Sequence, residues 1–208
     1  ENPTWGAPRI HGELLKLGCD VAERTVLRYG PKRPAPTGSL ERWKTFLRNH
    51  ASDIASMDFF VVPTVNFRML YVFVAIHHGS RRVLHVNVTR HPCSPWVVQQ
   101  LREAFPGDDV PRYLIHDRDS IFGDLVVTSA EAMGVESKRT SFRSPWQNGI
   151  CERWIGSCRR ELLDHVVPFG EAHLRRLLQE YVRYYHDDRT HLGLGKETPG
   201  GRLATSPP

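Results

Sequence analysis

The sequence lacks several features that would mark it as a membrane, disulfide-bonded or repeat protein. No run of about 18 apolar residues occurs in its 208 residues, which excludes a transmembrane helix. Internal repeats and low-complexity tracts are also absent. The chain begins with Glu1, and no basic-then-apolar signal segment follows, so we expect a trimmed piece of a cytoplasmic protein.

Cysteine is scarce, and its spacing does not fit a metal or disulfide framework. None of the 4 cysteines belongs to a C-x-x-C pair or has a histidine at zinc-finger spacing; they are Cys19, Cys93, Cys151 and Cys158. We therefore expect reduced and mainly structural thiols.

The composition is that of a globular protein with a basic surface. Hydrophobic residues make up 40% of the chain and charged residues 25%, which is enough apolar surface for a packed core. The net charge is +5, arginine heavily outnumbers lysine, and both ends are basic while the middle is slightly acidic. Basic ends favour a polyanionic partner, because arginine binds phosphate oxygens in a bidentate manner. A mildly basic protein without a nucleic-acid role remains the alternative.

Residues 1–29 predict a small helical segment. Two short helices over 9–29 are separated by Gly18, and Asp20 is the expected N-cap of the second one. This pattern indicates a partial helix-turn-helix, whose second helix would present Arg24, Thr25 and Arg28 to DNA. A plain helical hairpin is the alternative. Three prolines and two glycines within 30–39 then predict a linker.

Residues 40–192 predict one α/β domain. After a short helix over 40–49 come apolar, strand-like runs at 54–62, 68–76, 82–89, 112–116 and 135–139. Helices are expected at 94–105, 121–133, about 147–163 and about 170–185. Three consecutive strands followed by alternating helices and strands predict a mixed sheet of about five strands with helices on both faces. The Gly- and Pro-containing stretch 193–208 is expected to be a loop-like tail.

Three acidic residues occupy positions that suit metal-dependent chemistry. Asp58 lies inside an apolar strand, where an unpaired carboxylate is costly to bury; Asp117 directly follows a buried strand; Glu152 lies in the first turns of a helix. Carboxylate oxygens suit Mg²⁺ or Mn²⁺, and two such ions can serve an attacking and a leaving oxygen on phosphorus. As alternatives, Asp117 could belong to a turn, and Glu152 could lie on a helix surface.

The residues around these acids resemble three motifs of the DDE superfamily of insertion-sequence transposases and retroviral-type integrases, which has a ribonuclease-H-like fold. The likeness extends from about residue 3 to 203, and its most specific part is the third motif. Asp117 and Glu152 are 35 positions apart, the spacing that this family favours. The motifs are Met57-Asp58-Phe59, the run Ile115 to Gly123, and the run Arg143 to Arg153.

The resemblance implies a polynucleotidyl transferase that catalyses metal-dependent DNA cleavage and strand transfer. Asp58, Asp117 and Glu152 would be the catalytic and metal-binding residues, with two Mg²⁺ or Mn²⁺ ions as cofactors. Double-stranded DNA, as element ends and target, would be the partner of a homo-oligomer in the bacterial cytoplasm at the nucleoid, with no membrane role.

Helical spacing adds two candidate DNA-binding residues. Asn148, Glu152, Gly156 and Arg159 fall on one helix face, which suggests a site-facing Asn148 and a phosphate-binding Arg159. Gly156 between them would leave room for a DNA backbone. Arg159 and its neighbour Arg160 could equally be solvated surface charges.

The sequence departs from the family pattern in two respects. Asp119 stands where many relatives have glycine, so it competes with Asp117 as a ligand. The family's helix-turn-helix region usually extends further upstream, so we expect this one to be incomplete. Two other functions therefore stay open: a nuclease without strand transfer, and a catalytically inactive DNA-binding remnant.

Overall fold

The computed structural model describes residues 7–29, 38–107, 110–141 and 145–201. The chain divides into two compact units between Lys44 and Thr45. No helix within the described ranges is both long enough and apolar enough to cross a membrane. All four cysteines are free, with Cys151 and Cys158 buried and Cys19 and Cys93 exposed.

The first unit contains the helices α1 (Ala7–Lys16) and α2 (Glu23–Tyr29). Gly18 ends the first helical segment as predicted: it has a φ of 79°, and the amide of Cys19 donates to the carbonyl of Leu14 at 2.9 Å. The expectation for Asp20 was wrong. Helix α2 begins three residues later, and the carbonyl of Ala22 accepts its first amide hydrogen bonds.

Helix α3 (Gly38–Asn49) starts earlier than expected. Residues 30–37 of the predicted linker lie outside the described ranges, but its last two residues belong to this helix. Glycine and serine are acceptable there because the first-turn amides need no intrahelical acceptor. The boundary between the two units falls inside α3, whereas we expected the second domain to begin at residue 40. The domain limits expected from the sequence, 1–29, 30–39, 40–192 and 193–208, remain predictions.

The second unit is built on a five-stranded mixed sheet of order β3-β2-β1-β4-β5. The first three strands are antiparallel neighbours, while β4 and β5 run parallel to β1. The strands are β1 (Ile54–Pro63), β2 (Met69–His77), β3 (Val83–Thr89), β4 (Tyr113–His116) and β5 (Glu136–Arg139). The predicted strand count, element order and mixed sheet are thus confirmed.

Helices cover both faces of this sheet, as predicted. Helices α4 (Ser94–Ala104) and α5 (Asp124–Ala132) pack on a cluster that includes Met57 and Phe73, and α6 (Gly149–Cys158) and α7 (Glu171–Asp187) pack on the opposite cluster with Phe60 and Val74. Strand β1 alternates between these two clusters because successive side chains of a strand point to opposite faces. It is therefore central in both the sheet and the core.

The predicted helix over 147–163 consists of three consecutive pieces. A 3₁₀ turn (Pro145–Asn148) leads into α6, and a π-helical turn (Arg159–Leu163) follows it. Residues 193–201 of the expected tail pack back onto the unit: Thr198 is buried, and the amide of Gly200 donates to the carbonyl of His186 at 2.8 Å. A Cβ at Gly200 would lie only 2.8 Å from that carbonyl oxygen, so this approach requires glycine.

An ion pair ties this C-terminal segment to the π-helical turn. Arg189 donates from Nη2 to Oε1 of Glu161 at 2.8 Å and from Nε to Oε2 at 2.9 Å. The hydroxyl of Tyr181 donates to the same carboxylate at 2.9 Å. The hydrogen bonds from Arg189 are the main reason that the pKa of Glu161 lies below its usual value.

We predict that Glu161→Gln lowers the free energy of unfolding at pH 7 by about 1–2 kcal/mol, because it removes a charge-assisted bidentate pair that solvent partly screens. A depressed pKa means that the pair's contribution is complete above the unfolded-state pKa and is lost as the pH falls through the folded-state value. The difference between variant and parent in urea unfolding should therefore shrink towards pH 3.

The matched control is Glu180→Gln, since Glu180 is exposed on α7 and has no ion pair within the described ranges. It should change stability little at either pH. A cost for Glu161→Gln that is equal at pH 7 and at pH 3 would contradict the assignment.

Candidate active site

Asp58 lies in the central strand β1, on the sheet face that carries α6. Its neighbours Met57 and Phe60 are buried, while Asp58 itself is partly buried. The following amide, of Phe59, donates to Oδ1 of Asp58 at 2.8 Å. From α6's side, Nδ2 of Asn148 approaches Oδ2 at 3.4 Å and donates to the carbonyl of Met57 at 3.2 Å. The carboxylate is thus held by one backbone amide and one side-chain amide.

Asp117 directly follows the adjacent parallel strand β4, at the same level as Asp58. Strand β4 pairs with β1 through Ser56 opposite Ile115, and two residues further along each strand stand Asp58 and Asp117. The preceding residue, His116, is fully buried and anchors this strand end through contacts of Nδ1 with the carbonyl of Asp117 (2.7 Å) and of Nε2 with Ser137 Oγ (2.8 Å). Asp58 therefore lies beside the carboxyl end of β4, where Asp117 stands, and such strand ends are where α/β sheets place their sites.

Glu152 is exposed in the first turn of α6, one helical turn after Asn148. Asn148 itself is 97% buried and precedes the helix directly, so the 3.6-residue period puts both side chains on the same helix face. Burial raises the pKa of Glu152 above its usual value. Helix α6 thus brings one amide and one carboxylate to the edge where Asp58 and Asp117 lie.

The electrostatics of Asp58 place the other acids within range of charge repulsion. Its pKa is raised to about 7, mainly by burial, and further by repulsion from Asp117, then Glu152, then Asp119. The amide of Phe59 acts in the opposite direction but does not compensate. Burial and like charges thus both disfavour the ionised form of Asp58, and a bound cation would relieve that cost.

Asp119 has a local structural task that Asp117 lacks. Its Oδ1 accepts from the amide of Ile121 at 3.0 Å and so caps a 3₁₀ turn (Ser120–Phe122). The amide of Asp119 in turn donates to Oδ1 of Asp117 at 3.0 Å. Asp119 also has the weaker effect on Asp58. The geometry thus favours Asp117 as the principal partner of Asp58.

The donors at this edge are of the chemical type that a hard divalent cation takes. Carboxylate oxygens are the ligands that Mg²⁺ and Mn²⁺ prefer, and the raised pKa of Asp58 reports uncompensated negative charge at this edge. Across the described ranges, however, no three His, Cys, Asp or Glu side chains lie close enough together to hold an ion as they stand. Asp58, Asp117 and Glu152 would hold such an ion.

Sequence reasoning missed a buried polar layer beneath Asp58. Ser56, two residues before it on the same strand face, contacts Nε2 of His78 through Oγ at 3.0 Å. Burial lowers the pKa of His78 to about 3, so this imidazole is neutral. Cys151 lies nearby in α6, where burial and then the charge of Asp58 raise its thiol pKa. Period-2 spacing could have pointed to Ser56, but no local signal joins His78 to it.

The candidate DNA-binding residues lie in different environments. Arg24, Thr25 and Arg28 are exposed on α2. Arg159 is exposed as well, yet its Nη2 donates to the carbonyl of Val61 at 3.2 Å and its guanidinium carbon lies 5.5 Å from the ring centre of Phe60.

The surface above Gly156 is not open. The guanidinium of Arg160 covers this glycine, with Nη1 3.2 Å from the position of a Cβ. The expectation of room for a DNA backbone at Gly156 stays a prediction, because the covering group is the end of an exposed arginine side chain from the next turn of the helix.

The sheet order and the acids at its edge define a ribonuclease-H-like core. Residues 133–199 match the family model described as an integrase core domain. The chain is 25% identical over 142 residues to the Escherichia coli transposase InsD for insertion element IS2A/D/F/H/I/K. That match covers 64% of this chain and 47% of the relative, so it spans about half of the relative's length.

Solved structures agree on the fold. A chain of the simian T-cell lymphotropic virus intasome superposes with a TM-score of 0.62 at 12% identity, over 98% of this chain and 78% of that one. The HTLV-2 integrase catalytic core domain in complex with magnesium gives 0.55 at 13% identity, over 72% and 94%. The ribonuclease-H-like fold is thereby confirmed, and the family model together with the InsD match confirms the resemblance to DDE-type transposases and integrases.

We predict that Asp58→Asn raises the unfolding free energy of the metal-free chain at pH 8 by about 1–4 kcal/mol, because it removes a desolvated charge that three carboxylates repel. The new amide can also donate to Oδ1 of Asn148, which is buried without a hydrogen-bond partner. Thermal denaturation in chelator measures the gain, and the same scan with Mn²⁺ should stabilise the parent but not the variant.

The control for this prediction is Asp164→Asn, an exposed aspartate after the π-helical turn. It should leave both the chelator scan and the Mn²⁺ response unchanged. A metal-free Asp58→Asn protein less stable than its parent would show that the charge is not in conflict with its surroundings.

Proposed function

We propose that this chain comprises the catalytic core, and part of a DNA-binding unit, of a DDE-type transposase that cuts and joins DNA with divalent metal ions. The observation that carries the proposal is the carboxylate edge of Asp58, Asp117 and Glu152 on a ribonuclease-H-like sheet, with the pKa of Asp58 raised to about 7. The sequence similarity to an insertion-element transposase supports the choice of transposition over other reactions of this fold.

Two displacements at phosphorus would make up the reaction. In the first, the oxygen of water bonds to a phosphorus at the element end while the bond from phosphorus to the 3′-oxygen breaks, which frees a 3′-hydroxyl. In the second, that hydroxyl bonds to a target phosphorus, and the target's own 3′-oxygen leaves. Neither step needs a covalent bond to the protein, so catalysis is positioning and charge neutralisation.

The chain's own residues would divide this work. When bound, Mg²⁺ or Mn²⁺ supplies Lewis-acid neutralisation of charge on the phosphate. Asp58 and Asp117 would bind ions from adjacent strands, and Glu152 would bind from α6; the predicted number of two ions remains a prediction. Asn148 would act as a positioning residue, since its amide reaches Oδ2 of Asp58 from a buried position.

The expected binding partners follow from the proposed reaction. Double-stranded DNA, as element ends and target, would lie against the carboxylate edge, with Arg159 as a phosphate contact beside it. The neighbouring structures are an intasome and a dimeric integrase core, and we extend from them the proposal that this chain works as an oligomer. A cytoplasmic site of action at the nucleoid remains part of the proposal.

We predict that the chain nicks supercoiled plasmid in the presence of Mn²⁺ and not of Ca²⁺, and that Glu152→Gln and Asp117→Asn abolish nicking because each removes a charged ligand. Asp119→Asn is the matched control: it keeps the Oδ1 acceptor of the turn cap, removes a nearby charge that is not a proposed ligand, and should keep most of the activity. Asn148→Ala should reduce nicking by about 10- to 100-fold and shift its Mn²⁺ dependence, as loss of a ligand-orienting group does.

The same assay separates the rival functions. Joined products from a labelled oligonucleotide with a free 3′-hydroxyl would exclude a nuclease without strand transfer. Nicking that is equal in the parent and in Glu152→Gln would reject these acids as the site. DNA binding without nicking by any form would identify an inactive remnant.

The first unit yields a separate prediction. Arg24→Gln and Arg28→Gln should each reduce the slope of log affinity against log salt by about 0.9, because each removes one phosphate contact from duplex DNA. Fluorescence anisotropy across a salt series measures this slope. Lys16→Gln is the control, since Lys16 is already paired with Glu13 at 3.2 Å on α1; an equal loss in all three variants would point to non-specific charge.

A further inference from the structure

A pocket of about 350 Å³ lies in the second unit, away from the carboxylate edge. The turn between β2 and β3 contributes Arg81, helix α6 contributes Arg153 and Trp154, and the segment after α7 contributes Arg189 and His191. No acidic side chain lines it. Three arginines, two of them from the basic C-terminal part of the sequence, therefore line one concave site.

The charges of this pocket are only partly compensated. Arg189 is neutralised by its bidentate pair with Glu161. Arg81 and Arg153, by contrast, have no carboxylate within 4 Å among the described residues. The two are close enough that the charge of Arg153, together with burial, lowers the pKa of Arg81. Two like charges held together, one of them partly buried, are unfavourable unless an anion joins them.

Several hydrogen-bond donors of the pocket residues also lack acceptors. Nη1 of Arg81, the indole Nε1 of Trp154 and Nε2 of His191 are buried and have no partner of normal geometry. Trp154 is 99% buried, so solvent does not satisfy its N–H. His191 Nδ1 lies 3.5 Å from Nη1 of Arg189, an arrangement that leaves the proton on Nε2 in the neutral ring. Such orphan donors are uncommon in folded proteins.

The backbone at Arg81 is held in a costly conformation. Its φ is 61°, in the left-handed region that glycine prefers, and its guanidinium lies over Gly193, with Nη2 3.5 Å from the position of a Cβ there. A side chain that is strained, charged and unpaired destabilises the free protein. A bound anion would offset the cost of the unpaired charge.

We propose that this pocket binds a phosphate group, with Arg81 and Arg153 as its charged ligands. Phosphate offers only acceptor oxygens, which suit the guanidinium donors of Arg81 and Arg153 that line the cavity. The phosphate can be a free anion or part of a DNA strand. The proposal goes beyond the transposase function, because none of Asp58, Asp117 and Glu152 lines the pocket.

The first test is thermal denaturation of the whole chain in chelator, with inorganic phosphate added at constant ionic strength. We expect the melting temperature to rise with phosphate concentration, since a ligand of the folded state stabilises it by mass action. Arg153→Gln and Arg81→Gly should each weaken the apparent affinity by about tenfold or more, the effect of a charged hydrogen bond. Glycine is chosen at 81 because it suits the backbone there.

The control variant is Arg82→Gln, the exposed neighbour of Arg81 in the same turn. It should bind phosphate as the parent does. An equal loss of phosphate affinity in all three variants would overturn the proposal. So would a parent whose melting temperature does not respond to phosphate, if the variants also leave DNA binding unchanged. Arg81→Gly should also melt at a higher temperature than the parent when no anion is present, which separates a binding residue from a structural one.

The second test identifies the source of the phosphate. Duplex oligonucleotide binding is measured in chelator across a salt series, so that no cleavage occurs. A salt slope reduced by about 0.9 in Arg81→Gly and in Arg153→Gln, but not in Arg82→Gln, would assign the pocket to a DNA phosphodiester. Unchanged DNA binding with a lost response to inorganic phosphate would assign it to a free anion. Neither outcome depends on nicking, so this proposal and the transposase function can fail separately.

Discussion

The carboxylate of Asp58 in the middle of a central strand is the constraint on which the site depends. Strand β1 is hydrogen-bonded on both sides, to β2 along its length and to β4 at its start, so Asp58 cannot move away from its neighbours without breaking the sheet. Its pKa near 7 records the resulting conflict with burial and with the other acids. The sheet therefore supplies the rigidity that holds negative charges together, and the fold bears a stability cost for it.

Helix α6 brings further polar side chains next to Asp58. Its start places Asn148 against Asp58 and its first turn presents Glu152, while Trp154 and Cys158 on its inner face are buried in the core. The π-helical turn that follows is fastened by Glu161 to Arg189 beyond α7. Because both ends of the helix are held by long-range contacts, the acid on its outer face has a defined position relative to the strands.

Much of this could be predicted from the sequence because it rests on local patterns. Alternating and continuous apolar runs predicted the five strands, and the placement of Asp117 after a strand predicted its edge position. The order of strands and helices along the chain then limited the possible sheet topologies. The residues around Glu152 resemble the third DDE motif and so indicated the superfamily. The periodicity of apolar residues alone does not indicate it.

Features that depend on contacts between distant residues could not be predicted. The capping role of Asp119 follows from the backbone of Ile121, and the start of α3 at Gly38 conflicts with the local preference of glycine for turns. The neutral His78 beneath Asp58 owes its state to burial by residues far along the chain. Likewise, a pocket formed by Arg81, Arg153 and His191 has members more than a hundred positions apart, and no local pattern joins Arg81 to the other two.

Helix α6 carries an acidic and a basic residue that point in different directions. This arrangement suggests how one chain can bind a polyanion at two places. Glu152 and Arg153 are consecutive, yet a step of about 100° around the helix directs one towards the carboxylate edge and the other into the basic pocket. A phosphate at the acids needs cations, whereas a phosphate at the arginines needs none. Metal dependence is therefore expected for chemistry at the first site and not for binding at the second, and a single rigid helix sets the distance between them.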